Sequence, residues 1–203
     1  MNDFSKLMFS AEEQQLVNNT DWILTKRVII DKVNAWLGSL SEDQQALIEK
    51  EKAWLPAAVT HARPKIAKGE NYLQLPYVLL DYPRCFDAED IFAVRTMFWW
   101  GNFFSMALQL SGTYKQMFQE NILNNLQSAR SDLFICINES QWQHHFEADN
   151  YIAVKQLSAK ELADIILEKS FVKLAVKFPL QQWNDVPALL DKTFKEMIEM
   201  LKA

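Results

Sequence analysis

The sequence predicts an α+β fold in which a mainly antiparallel sheet of about five strands packs against helices. Three observations lead to this fold class. Two aromatic-rich segments flank a Gly-Asn pair, short strand-like segments lie between amphipathic helices, and the first third of the chain has a helical pattern. Hairpins mixed with helices are typical of antiparallel sheets. The 203 residues are interpreted as one domain over 1–203, with a helical hairpin over 10–55 and the mixed sheet over 72–203.

The N-terminal segment has the pattern of two helices joined by a tight turn. Ser10 and Glu13 have the spacing of a capping box, and two apolar stripes follow, one with Leu16, Ile23, Ile30 and Leu37, the other with Trp22, Ile29, Val33, Trp36 and Leu40. Gly38-Ser39 is predicted to end this helix, and Ser41-Glu-Asp-Gln44 to cap a second one that runs to about Trp54. Two apolar stripes on one helix predict a homodimer through this first helix.

The segment from His61 to Asn71 is interpreted as a basic linker, because it is polar and contains Pro64 and Gly69. A strand is predicted from Tyr72 to Tyr82, and Asp81-Tyr-Pro-Arg84 is predicted to end it in a turn.

The stretch from Ile91 to Leu110 is predicted to be a hairpin that turns at Gly101-Asn102, although a single long helix is an alternative. A two-residue turn would place Trp99 opposite Phe104 and Trp100 opposite Phe103. Trp99 would then belong to a core face with Arg95, and Trp100 would line a concave or partly exposed face.

The remaining segments alternate between helices and strands. A helix is predicted from Tyr114 to Ser128, with further helices after the caps Ser158 and Asn184-Asp185; strands are predicted at Leu133–Ile137, Tyr151–Leu157 and Phe171–Phe178.

The composition excludes several classes of enzyme. Only four glycines are present, and none has the spacing of a phosphate-binding loop, a dinucleotide fingerprint or a nucleophile elbow. The adjacent His144 and His145 would diverge on either a strand or a helix, so they are interpreted as a solvated loop pair. Neither a metal nor a cofactor is predicted, and the two separated cysteines are interpreted as reduced thiols.

The charge and the apolar runs limit the partners. The net charge is −5, which argues against nonspecific binding of nucleic acid. The longest apolar run is five residues, far too short to cross a membrane, and the N-terminus lacks the pattern of a signal peptide. The sequence therefore predicts a cytoplasmic protein that binds neither nucleic acid nor membranes.

A candidate ligand site is predicted around the basic linker and the Asp81–Arg84 turn. Its proposed members are Lys65, Lys68, Asp81, Tyr82, Arg84, Arg95 and Trp100. The linker from His61 to Lys68 contains no acid, so these cations are expected to meet a small anionic ligand. Alternatively, the arginines form structural ion pairs with Asp81 or Asp87. The expected function is a binding or interaction module, and the alternative is a small hydrolase or transferase with its site near residues 61–95.

Overall fold

A seven-stranded antiparallel sheet forms the centre of the fold in a computed structural model that describes residues 7–126 and 130–203. Its strands are β1 (Lys65–Tyr72), β2 (Leu75–Phe86), β3 (Ile91–Trp99), β4 (Phe103–Ser111), β5 (Phe134–Cys136), β6 (Tyr151–Ala153) and β7 (Phe171–Pro179). Their order across the sheet is β1-β2-β3-β4-β7-β5-β6. The predicted α+β class is confirmed, but the sheet has seven strands and not five.

The helices are α1 (Ala11–Val17), α2 (Thr20–Lys50), α3 (Ala57–Thr60), α4 (Gly112–Leu126), α5 (Ala159–Glu168) and α6 (Val186–Glu199). Helices α2, α4 and α6 cover one face of the sheet, and α5 packs beside α4. Because side chains alternate along each strand, this face receives Val94, Leu108 and Leu174, which stand side by side on three neighbouring strands. This layer is the main core. Among the described residues, no helix is long and apolar enough to cross a membrane.

The predicted N-terminal helical hairpin is not confirmed. The capping box at Ser10 and Glu13 is present and starts α1, but the chain then breaks at Asn18-Asn19, and α2 continues for 31 residues through Gly38. Its buried positions run without interruption from Val33 to Ile48, so packing on the core outweighs the cost of about 1 kcal/mol for a glycine inside a helix. The helix cap predicted at Ser41 is absent, because the hydroxyl of Ser41 donates to the carbonyl of Gly38 within α2.

The predicted linker is largely an edge strand. Residues Lys65–Tyr72 form β1, which pairs with β2 on one side only. An exposed edge tolerates charged side chains, and these obscured the strand pattern in the sequence. A Cβ atom at Gly69 would lie 2.5 Å from the ring of Tyr77 on β2, so a larger residue here would require that ring to shift.

The predicted turn at Asp81–Arg84 lies inside β2. This strand extends to Phe86, and the register to β3 shifts between Asp81 and Arg84, where the Tyr82–Pro83 peptide bond is cis. Proline lacks an amide hydrogen, so it is tolerated at such a bulge, and the strand continues instead of ending. The extra residues change the alternation: Asp81 pairs with Arg95, and Arg84 pairs with Ala93. Arg84 therefore lies on the same face of the sheet as Asp81, although regular alternation along β2 would place it on the opposite face.

The predicted hairpin is confirmed, with its register shifted by one residue. Strands β3 and β4 pair Trp99 with Phe103 and Phe98 with Phe104, so the loop contains three residues and not two. Gly101 lies in this loop with a φ of +70°, a conformation that favours glycine. The residues of β3 were sorted correctly into two faces, but the face of Arg95 and Trp99, which was predicted to be the core, is the second face of the sheet, and the main core receives Phe98 instead. The residues of β4 were assigned to the wrong side of β3, because Phe104 pairs with Phe98 and not with Trp99.

The second face of the sheet carries smaller apolar clusters and several polar side chains. One cluster contains Leu79, Met97 and Trp99, and another contains Cys136 and Tyr151. The segment 137–150, which connects β5 to β6, lies over this face.

The remaining predicted elements are present as α4 to α6 and β5 to β7, with ends displaced by a few residues. The predicted end of α4 at Ser128 lies outside the described residues.

Candidate functional site

A row of charged side chains crosses the second face of the sheet. Lys65 on β1 pairs with Asp81 on β2, which in turn pairs with Arg95 on β3. Directly paired residues of antiparallel strands point to the same face, so the register alone brings these three side chains together. Arg84 reaches the same face because of the bulge in β2.

Arg95 and Asp81 form a nearly buried ion pair at the centre of this row. The guanidinium donates two hydrogen bonds to the carboxylate, Nε to Oδ1 at 2.6 Å and Nη2 to Oδ2 at 2.8 Å. The side chain of Asp81 is 6% exposed and that of Arg95 is 17% exposed. This bidentate geometry holds the guanidinium plane in one orientation and leaves Nη1 for another acceptor.

His144 provides that acceptor. Its Nε2 lies 3.2 Å from Nη1 of Arg95. Burial, together with the positive charges of Lys173 and Arg95, holds the pKa of His144 well below its usual value. The imidazole is therefore neutral at pH 7, and since Nε2 accepts from arginine, the ring proton lies on Nδ1. The expected solvated pair does not describe this residue, because His144 is half-buried and contacts Arg95.

The segment 137–150 is held over the sheet by buried polar groups. The amine of Lys173, which is 1% exposed, donates to the carbonyls of Gln141 at 2.8 Å and Gln143 at 2.5 Å. Burial and the nearby charge of Arg95 lower the pKa of Lys173 to about 7. At the other end of the segment, the backbone amides of His144 and His145 donate to the hydroxyl of Tyr72. These bonds present His144 and Trp142 to one rim of the sheet.

The charged row and the covering segment border an open pocket of about 420 Å³. Its lining combines charged and aromatic side chains: Lys65, Tyr72, Tyr77, Asp81, Arg84, Phe86, Arg95, Trp142 and His144, together with Ala67 and Leu79. Three of these side chains are cationic and one is a carboxylate. Asp81 is bound to Arg95, while Lys65 and Arg84 are exposed and have no ion pair within the described residues.

Aromatic rings form the walls of this pocket. Phe86 and Trp142 are 39% and 48% exposed, and their ring centroids lie 6.0 Å apart. The guanidinium carbons of Arg84 and Arg95 lie 5.9 and 6.0 Å from the centroid of the Phe86 ring. Large aromatics that stay in water next to free cations offer an apolar surface beside hydrogen-bond donors.

The structure brings together four of the seven predicted site residues. Lys65, Asp81, Arg84 and Arg95 line the pocket. Both expected arrangements are present in part, because Arg95 forms a structural ion pair with Asp81 while Arg84 stays unpaired within the described residues.

The other three predicted residues lie elsewhere. Lys68 has the opposite parity to Lys65 on β1, so it points to the other face, where it is exposed. Tyr82 is buried in the main core, where burial raises the pKa of its hydroxyl to about 12. Trp100 lies in the hairpin loop and packs against the main core.

The sequence prediction did not include the aromatic walls or the half-buried His144. Phe86 escaped notice because β2 was expected to end before it. Trp142 and His144 lie in a segment without regular structure, and the pattern of the chain does not indicate where such a segment folds. The signal that could have found them is composition, since an irregular stretch with two histidines and a tryptophan is unusual for a solvated loop.

Two larger pockets, of about 510 and 740 Å³, border Arg130 and the end of α4. Their charged groups are largely paired already: Arg130 with Asp132 and Glu196, and Lys195 with Asp191. They therefore offer less to a charged ligand than the pocket at the sheet. Among residues 7–126 and 130–203, no cluster of histidine, cysteine and acidic side chains has the geometry to hold a metal ion.

Comparison with known protein families, with curated proteins and with solved structures finds no match for this chain. The geometry of the pocket is thus the observation from which a function is inferred.

Proposed function

We propose that this protein is a binding module for a small organic anion with a planar, apolar body. The observation that carries this proposal is the pair of exposed cations, Lys65 and Arg84, which line an aromatic pocket without an ion-pair partner among the described residues. A bound carboxylate or phosphate would supply the missing negative charge.

The charge balance of the pocket favours an anion over a cation. Asp81 neutralises Arg95, and His144 is neutral at pH 7, so Lys65 and Arg84 leave about two positive charges. A guanidinium donates two parallel hydrogen bonds to a carboxylate or phosphate, and an ammonium group adds a point charge. Arg84 is thus suited to orient the anionic group, with Lys65 as a second contact.

The walls of the pocket favour a ligand with a flat apolar part. Phe86 and Trp142 form one wall, and Tyr72 and Tyr77, in edge-to-face contact at 6.4 Å, form another. Covering such rings with an apolar body removes area from water at about 25 cal/mol per Å². This pocket thus combines apolar walls with a few polar groups, as small-molecule sites usually do.

The hydrolase or transferase alternative has less support, because the reactive groups near the pocket are already occupied. The Nε2 lone pair of His144 accepts from Arg95, so it is not free to act as a general base. The amine of Lys173 is buried beneath segment 137–150 and bonded to two carbonyls. Cys136 is 1% exposed, and burial raises the pKa of its thiol, which keeps it protonated and unreactive.

Isothermal titration calorimetry with benzoate and phenyl phosphate tests the proposal, with benzamide as the uncharged control. We expect binding of the two anions and none of benzamide. Arg84→Gln and Lys65→Gln should each weaken binding roughly tenfold, since each removes a charge-assisted contact.

The matched control is Lys68→Gln, which removes a charge from the same strand on the opposite face. It should leave the affinity unchanged. Equal losses in Lys65→Gln and Lys68→Gln, or equal affinity for benzoate and benzamide, would contradict the proposed site. Turnover of phenyl phosphate to phenol would favour the hydrolase alternative.

A further inference from the structure

The first part of α2 extends beyond the core with apolar side chains in water. The helix is about 46 Å long at 1.5 Å per residue, and its buried positions begin only at Val33. Before that point Leu24 and Val28 are 53% and 51% exposed. A shallow groove along this part of the helix is lined by Asp21, Leu24, Thr25, Val28, Ile29 and Lys32.

These six residues form one helical face whose pattern is symmetric about its midpoint. Their spacing of 3, 4, 7, 8 and 11 positions from Asp21 is that of a single helix stripe. We propose that this face is a homodimer interface, on which α2 of a second copy packs in the antiparallel direction. A two-fold axis between residues 26 and 27 then places Leu24 opposite Ile29, and Thr25 opposite Val28, of the other copy.

The charges at the two ends of the face select this partner and this direction. The same axis places Asp21 of each copy opposite Lys32 of the other, and so forms two ion pairs. Within the described part of the chain neither residue has an ion-pair partner, although α2 does form one nearby, between Lys26 and Glu70. A parallel arrangement would instead bring Asp21 next to Asp21 and Lys32 next to Lys32, and like charges in such positions repel. The face is therefore complementary to itself only when the two helices are antiparallel.

Sedimentation equilibrium on the full chain tests this interface. At tens of micromolar protein we expect twice the chain mass of 23.7 kDa. Val28→Glu should raise the dissociation constant of the dimer roughly tenfold or more, because it buries a charge beside Thr25 of the other copy. The matched control is Ile23→Glu on the opposite side of the helix, where the native side chain is equally exposed at 50%. Ile23 belongs to one of the two stripes from which the sequence predicted a dimer, but Leu37 of that stripe is buried in the main core of the same chain, so the control should leave the dimer intact.

A charge exchange tests the antiparallel direction independently of the apolar contacts. Asp21→Lys alone should weaken the dimer, since lysines then face each other at both ends, and so should Lys32→Asp alone. The double variant Asp21→Lys/Lys32→Asp should restore it. All these positions are exposed, so circular dichroism should show an unchanged fold. A monomer mass for the unaltered chain, which would leave the face to a different partner, overturns the inference, as does a double variant that stays as weak as the single ones.

Discussion

The free energy of unfolding should rise with pH above pH 7 because of Lys173, and replacing Lys173 with methionine should remove this rise. Burial lowers the pKa of this amine from the ordinary 10.5 to about 7 in the folded chain. Between about pH 7 and pH 8.5 the unfolded chain stays protonated at this residue, while the folded chain changes from half protonated to neutral. The unfolded state therefore binds more protons, and the free energy of unfolding rises with pH, by about 1.5 kcal/mol over this interval.

Urea denaturation at both pH values measures this rise, and Lys173→Met should abolish it. The interval avoids the ranges in which His144 and the two cysteines titrate, and Lys115, whose pKa burial also lowers, contributes equally to the unaltered chain and its variants. The lowered pKa of His144 reduces stability only as the pH falls below about 6.5, and the raised pKa values of Cys85 and Cys136 reduce it only above about pH 9. Lys177→Met, on the same strand but exposed, is the control and should keep the rise. An equal rise in Lys173→Met would refute the assignment of a buried, weakly basic amine.

Two further pairs of substitutions test the packing. Trp99→Ala should lower the free energy of unfolding by about 3–5 kcal/mol and Trp100→Ala by clearly less, because Trp99 is 5% exposed in a cluster while Trp100 is half-buried in a loop; equal losses in urea denaturation would contradict this placement. Gly38→Ala should raise the free energy of unfolding by about 0.5–1 kcal/mol, since the added methyl group meets no atom within 4 Å. Gly69→Ala should lower it by about 1–3 kcal/mol, because the added methyl group collides with the ring of Tyr77. Thermal unfolding measures both glycine variants, and the same sign for the two would show that the local space was misjudged.

The fold class could be predicted from the sequence, and so could the helices and strands whose apolar residues recur with a clear period. The strands β5 and β7 have apolar patterns, and α5 begins with the capping box predicted at Ser158, so local chemistry determines these elements. The last helix follows Asp185 as predicted, although the side chain of Asp185 forms no capping hydrogen bond. The N-terminal hairpin failed because a glycine inside a helix costs little compared with continuous packing on the core. The strand β1 failed because edge strands carry the charges that are otherwise typical of loops.

Only those members of the candidate site that strand pairing brings together could be predicted from the sequence. Lys65, Asp81 and Arg95 are cross-strand neighbours, so a correct pairing of three strands would have joined them. The face of Arg84 depends on the bulge in β2, and the face of Trp100 on a loop of three residues and not two. A shift of one residue exchanges the two faces of a strand, which is why the prediction for Trp100 misplaced it. Lys68 and Tyr82 were misplaced because a linker and a turn were predicted where β1 and β2 run as strands.

The most direct test of the proposed anion site is a crystal structure of the protein soaked with para-bromobenzoate. The anomalous signal of bromine locates the ring, and the electron density locates the carboxylate. We predict the ring on the Phe86–Trp142 wall and a carboxylate oxygen within hydrogen-bond distance of Arg84 or Lys65. Bromine at another surface, or a ring in the pocket with its carboxylate turned away from both cations, would contradict this prediction.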